Sequence, residues 1–140
     1  MNKTFVISVV ALFVVSMALG FVVHALLLGA DYANLHSMFR SESDSKQYFG
    51  FMIAAHVLIA IGFTWIYRQG RENKPFVAQG IRFGLAVAVL TVIPNYLIYY
   101  AVQPMPSDLV AKQIVFDTIA VVIMGIVVAA LNRDPLPARA

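Results

Sequence analysis

At 140 residues, 61% hydrophobic and 12% charged, with a mean hydropathy of +0.81, the chain is too apolar for a water-soluble domain of its size. A formal charge of only +3, carried by basic residues at the ends of apolar runs, speaks of topology and not of nucleic acid. The absence of cysteine excludes disulfides, thiolate metal centres, iron–sulfur clusters and cysteine nucleophiles.

Four unbroken apolar runs predict an all-α fold: an integral membrane bundle of four transmembrane helices, antiparallel and up-down-up-down, forming one domain. The first span covers about 5–29. A signal-peptide core runs ~7–15 residues. Here Phe21–Val22–Val23 follow directly on the small residues Ala18–Leu19–Gly20, so a retained span is expected. Ser16, Gly20 and His24 recur at four-residue spacing and form a small-residue stripe with a histidine at its end.

The longest connection covers about 30–46. Tyr32, Leu35, Met38 and Phe39 fall on one side of a helix, which reads either as an interfacial helix lying on the membrane or as an irregular loop. Asp44 followed by Gln47 suits an N-cap with a reciprocal bond, so the second span is set at about 47–67. Met52, His56, Ala60 and Phe63 share one of its faces, and Trp65 and Tyr67 anchor its end. A short basic loop follows, with Pro75 suited to the first turn of the next helix.

The third span covers about 76–102. Gly80, Gly84 and Ala88 form a stripe that continues through Thr91, Asn95 and Tyr99, whereas Tyr96 and Tyr100 are assigned to an aromatic belt. Pro94 cannot donate to the Leu90 carbonyl and is expected to kink the helix. After a proline-rich turn, Ser107 or Asp108 is the expected cap of the fourth span, about 109–131, which aligns Gln113, Asp117, Val121, Gly125 and Ala129. Residues 132–140 read as a mobile tail.

Lys3, Arg68, Arg71, Lys74, Arg82, Arg133 and Arg139 fall on one side of such a bundle, seven of the ten basic residues, and Arg40, Lys46 and Lys112 on the other. The positive-inside rule then places the chain in a bacterial-type inner (plasma) membrane with both termini cytoplasmic. At 1.5 Å per residue, His24, His56, Asn95 and Asp117 all lie roughly 7–13 Å from the outer ends of their spans. Gln113 and Tyr99 sit about one turn nearer the surface. An acid at the centre of a membrane helix costs on the order of 2.5–3.5 kcal/mol on insertion scales, so Asp117 is expected to have partners in this layer.

Several functions fit such a layer. The first is a non-enzymatic structural or accessory membrane protein, with the polar cluster fixing helix register. The second is a site for a small solute, an ion or a proton opening outward, made of His24, His56, Asn95, Asp117, Gln113 and Tyr99, in a chain that oligomerises. The third is a redox protein in which His24 and His56 hold haem b or the apolar surroundings hold a quinone. A metal site of His24, His56 and Asp117, with His36 above it, is a weaker variant, because no local ligand spacing supports it. The Gly80, Gly84 and Ala88 stripe is the candidate contact for a second copy or a partner membrane subunit. No phosphate loop, GxSxG motif or paired carboxylates point to an enzyme.

Overall fold

The computed structural model describes residues 2–133, which form helices and turns with no strand among the described residues. Four helical stretches are long and apolar enough to cross a membrane: Lys3–Leu27, Phe49–Gly70, Phe76–Val102 and Ser107–Leu131.

The first stretch is α1 (Lys3–Gly20) continued by a wider, π-type segment, Phe21–Leu27. Asn2 starts it, its side-chain oxygen accepting from the Thr4 amide at 3.0 Å. Two short helices follow, α2 (Gly29–Ala33) and α3 (Glu42–Lys46), with turns between them. The segment is therefore neither one interfacial helix nor a loose loop. Tyr32, Leu35 and Met38 pack against a cluster of Val23, Leu28, Met105, Leu109 and Val110, while Phe39 meets the Tyr32 ring edge-on at 5.0 Å. Apolar contact with the bundle end, not an amphipathic period, holds this connection.

Helix α4 (Phe49–Gly70) has no side-chain cap. The capping residue is Ser41, which accepts from the Asp44 amide at 3.2 Å and starts α3 instead. The Asp44–Gln47 bond of 2.6 Å therefore closes α3 and does not begin the span. The next turn is held by Gln79, whose Nε2 donates to the Glu72 carbonyl at 2.5 Å and whose Oε1 accepts from the Glu72 amide at 2.9 Å.

Helix α5 (Phe76–Val87) passes through a second π-type segment, Ala88–Val92, into α6 (Ile93–Val102). Pro94 lies just beyond the wide turn, where its missing N–H would interrupt a regular ladder. Thr91 Oγ1 donates to the Val87 carbonyl at 2.8 Å and satisfies a group next to the altered ladder. One extra residue in a turn rotates everything after it by about 100°.

Helix α7 (Ser107–Leu131) follows Pro106, whose fixed φ sets the entry. Neither Ser107 nor Asp108 caps it: Ser107 is already its first residue and no side-chain cap bond forms. Buried residues occur along its whole length, from Leu109 to Ala129, so α7 is the post on which the rest packs. Helices α1, α5 and α6 lie along it, and α4 packs mainly on α1. One buried cluster joins Leu12, Ala60, Phe63, Tyr67, Met124 and Val128, and the Val23–Leu28 cluster lies at the opposite end.

The α5–α7 contact uses backbone against backbone. A Cβ on Gly80 would stand 2.6 Å from Ile126 Cα, one on Gly84 2.5 Å from Val122 Cα, and one on Gly125 2.2 Å from the Gly80 oxygen. Only hydrogen fits at these positions. Gly80, Gly84 and Ala88, expected as a contact surface for another chain, are instead buried inside this one.

Asn132, placed in the tail by sequence, is 3% exposed, and its Nδ2 donates to Ser8 Oγ at 2.9 Å and to the Val128 carbonyl at 2.8 Å. Arg71 donates to its carbonyl at 2.7 Å. The remainder of the expected tail, 134–140, lies outside the described residues, as does Arg139 of the charge count. Asn132→Ala leaves the buried Ser8 hydroxyl without its partner and should cost about 1–3 kcal/mol, read as lowered equilibrium stability in detergent. Ser8→Ala in the same background should add little, because the pair is already broken.

Candidate functional site

Asp117, on α7, is the hub. Its Oδ2 accepts a short hydrogen bond from the Tyr96 hydroxyl of α6, and its Oδ1 stands 3.4 Å from His24 Nε2. The other imidazole nitrogen, Nδ1, lies 2.9 Å from the hydroxyl of Tyr32, and that hydroxyl accepts from Gln113 Nε2 at 3.0 Å. Gln113 donates to the Tyr32 oxygen, that hydroxyl shares a hydrogen with His24 Nδ1, and Nε2 faces Asp117. This chain links the wide turn after α1, helix α2, α6 and α7.

The network is shielded unevenly. Asp117 and His24 side chains retain 18% and 41% of their exposure, whereas Gln113 retains 4% as a residue. Burial pushes the Tyr32 phenol above its ordinary pKa, and Asp117 and Asp31 add to that rise against the Gln113 bond, which lowers it. Tyr32 therefore stays a neutral hydroxyl that both donates and accepts. Above it, Lys112 Nζ bridges both Asp31 oxygens at 2.9 and 3.2 Å, with Asp108 at 3.7 Å.

Of the six residues expected to share a layer, the structure joins His24, Asp117 and Gln113. His56 is turned to α1, its Nδ1 2.9 Å from Ser16 Oγ, with its ring 3.5 Å from where a Gly20 Cβ would stand. The Ser16–Gly20 stripe is thus a slot for the His56 ring. Asn95 is exposed and Tyr99 is half-exposed, and among the described residues no hydrogen bond joins either to the network. Tyr96, assigned to the belt, replaces them. The extra residue of the Ala88–Val92 turn moves the interior face from the 95/99 positions to 96.

His24 Nδ1 lies 2.9 Å from the Tyr32 hydroxyl and Nε2 3.4 Å from Asp117, while His56 turns to Ser16, so the two imidazoles face different partners. The trio His24, His56 and Asp117 does not converge, and no group of three or more metal-ligating side chains gathers among the described residues. His36 is exposed in the turns after α2. Tyr32 was legible only as an apolar-face residue; its hydroxyl, eight positions after His24, was the unread signal.

Two cavities adjoin the network. The first, of about 360 Å³, is lined by Tyr32, Phe39, Tyr96, Tyr99, Gln103, Met105 and Gln113. The second, of about 570 Å³, is a cleft between α4 and the α5–α6 stretch, walled by residues such as Ile59, Phe63, Phe83 and Val87, with Asn95, Tyr96 and Asp117 at one end. Gln113 Oε1 and Thr118 Oγ1 are buried without a hydrogen-bond partner, both within a turn of Asp117.

Comparison with curated proteins and with solved structures gives no match. Residues 7–129 match the family model described as "Protein of unknown function (DUF1761)", and over that span, most of its length, the chain belongs to this family.

Proposed function

We propose that the chain is a non-enzymatic four-span protein of a bacterial-type inner membrane that binds a small solute entering from the outer side. In this reading the spans alternate in direction. Ser8 meets Asn132, His24 meets Asp117 and Tyr32 meets Gln113, so α1 and α7 run oppositely, and Gly84–Val122 with Tyr96–Asp117 give the same for α5–α6 and α7. With both termini cytoplasmic, as the basic residues favour, the network lies in the outer half. It pins four elements and forms the floor of the 360 Å³ pocket.

The observation that carries the solute reading is the 360 Å³ cavity itself, lined by Tyr32, Tyr96, Tyr99, Gln103 and Gln113 beside the network of Asp117. A chain without cysteine permits a clean test by single-cysteine labelling. Tyr99→Cys and Ser43→Cys should react with a membrane-impermeant maleimide added outside, and Asn73→Cys should not. Labelling of Tyr99→Cys from the inner side alone would reverse the orientation and remove the outward pocket.

The 570 Å³ cleft favours a second reading, a membrane-soluble ligand such as a quinone with its head near Asn95 and its body along Phe63 and Phe83. Solvent extraction of purified protein should then release near-stoichiometric quinone, reduced by Asn95→Leu; none above the lipid background would end this reading. A second copy or a partner subunit would meet the apolar outer face of α4, including Phe51 and Trp65, since the glycine stripe is covered.

A further inference from the structure

We propose that the groove between α4 and α5 holds one anionic phospholipid, its phosphate at the basic end of the bundle and one acyl chain in the 570 Å³ cleft. This site is separate from the outer pocket, so neither proposal depends on the other. Helix α4 packs mainly on α1 and α5 on α7, which leaves a furrow between them. Phe83 lies across its floor, edge-on to Phe63 at 4.7 Å and to Tyr67 at 5.3 Å. A further cavity of about 320 Å³ opens at the basic end, with Gly70, Lys74, Gln79 and Arg82 among its walls. Ile66 and Phe83 line both this cavity and the cleft, so a charged mouth passes into an apolar channel.

The mouth is built for an anion. Lys3, Arg68, Arg71, Lys74, Arg82 and Arg133 gather at this end, and among the described residues Glu72 is the one acid there. Gln79 Nε2 donates to the Glu72 carbonyl and, at 3.3 Å, to the Lys74 carbonyl, which clamps the turn carrying Lys74 to the helix carrying Arg82. Lys74 pairs with Glu72, but the two side chains are 52% and 59% exposed, a surface pair that a phosphate can replace. Arg82 is exposed, and among the described residues no hydrogen bond or ion pair occupies its guanidinium. A guanidinium fork matches two phosphate oxygens. Arg82 stands about 9 Å past the start of α5, a depth from which its side chain reaches back to headgroups. Charge selects the anion, and the channel selects a lipid, since a soluble phosphate would leave the apolar cleft unused. From Phe83 to Asn95 the cleft follows about 18 Å of helix, against about 15 Å for one leaflet of hydrocarbon. A quinone body along Phe63 and Phe83 would need the same space, so the two occupants exclude each other.

Native mass spectrometry of the full chain, delipidated in detergent and then given phosphatidylglycerol, phosphatidylcholine or glycerol phosphate, reads the occupant directly. One phosphatidylglycerol should bind at least about tenfold more tightly than phosphatidylcholine, whose choline charge offsets its phosphate. Arg82→Gln should weaken phosphatidylglycerol at least about tenfold, as loss of a charge-assisted hydrogen bond does. Arg82 is exposed and unpaired, so this variant keeps the fold. Gly62 lines the cleft with nothing within 4 Å of a built Cβ, so Gly62→Leu also folds, fills the channel and should weaken the lipid. Lys3→Gln removes the same charge from α1 and should leave the affinity unchanged. Equal binding of phosphatidylcholine, or an equal loss with Lys3→Gln and Arg82→Gln, would mean that no site reads the headgroup, and the inference fails. If glycerol phosphate displaces the lipid and Gly62→Leu has no effect, the basic pocket takes a soluble phosphate and the lipid is the wrong occupant.

Discussion

Gly84→Val and Gly125→Val should each cost about 3 kcal/mol or more, at or beyond the upper end of what core overpacking costs. The reason is the identity of the opposing atoms. A Cβ at position 84 meets Val122 Cα at 2.5 Å, and one at 125 meets the Gly80 oxygen at 2.2 Å. A flexible side chain could turn away from such a contact; backbone of a continuous helix cannot. Relief requires α5 and α7 to separate, which loses the close approach along their whole interface and withdraws Tyr96 from Asp117. Gly62 provides the control, with nothing within 4 Å of its built Cβ. Gly62→Ala should be neutral or stabilising by about 0.5–1 kcal/mol through helix propensity. Equilibrium unfolding in mixed detergent micelles separates these cases. Wild-type stability of Gly84→Val would mean that the two helices do not interlock.

Asp117→Leu sets two effects against each other. Removing an acid from a membrane helix favours insertion by about 2.5–3.5 kcal/mol. The same change leaves the Tyr96 hydroxyl and the His24 Nε2 proton facing a leucine, at about 1–3 kcal/mol for each orphaned donor. The insertion gain applies to the inserted but unfolded chain as well as to the folded one, so it cancels from folding stability. The orphaned donors do not cancel. The expected result is therefore a loss of about 2–6 kcal/mol in the folded bundle despite improved insertion. Adding Tyr96→Phe should restore part of that loss, with a coupling energy of about 1–3 kcal/mol between the two positions. Additive effects of the two substitutions, measured as a double-mutant cycle, would contradict the Tyr96–Asp117 bond.

The four helices long and apolar enough to cross a membrane were legible because runs of about twenty apolar residues leave few alternatives. The need for partners around Asp117 was legible for the same reason: hydrocarbon supplies none. Which partners it takes was not. Reading α5–α6 with a constant helical period places Asn95 and Tyr99 inward, but the wide turn at Ala88–Val92 advances the interior face to Tyr96. Pro94 announced an irregularity without its sign, since a kink and an inserted residue both relieve a missing N–H. His56 meets the first helical stretch at Ser16 and Gly20, about one to two turns before His24, where Ser16 offers it a bond and Gly20 space. Tyr32 entered the network from a connection read as one apolar helix face, a reading that said nothing of its hydroxyl. The glycine stripe was recognised as a close-packing surface, yet a stripe does not say which helix covers it. Gly125, on the face already aligned with Asp117, was the complementary half.

The three histidines of the chain make its polar network accessible to one experiment, ¹⁵N NMR of selectively histidine-labelled protein in bicelles. Both ring nitrogens of His24 should report their neighbours, Nδ1 the Tyr32 hydroxyl and Nε2 the Asp117 carboxyl group. Tyr32→Phe should move the Nδ1 resonance and Asp117→Asn the Nε2 resonance, with His56 unchanged in both. Ser16→Ala should move His56 alone. A spectrum in which Asp117→Asn shifts His56 and leaves His24 in place would contradict the arrangement, and would return Asp117 to the histidine of α4.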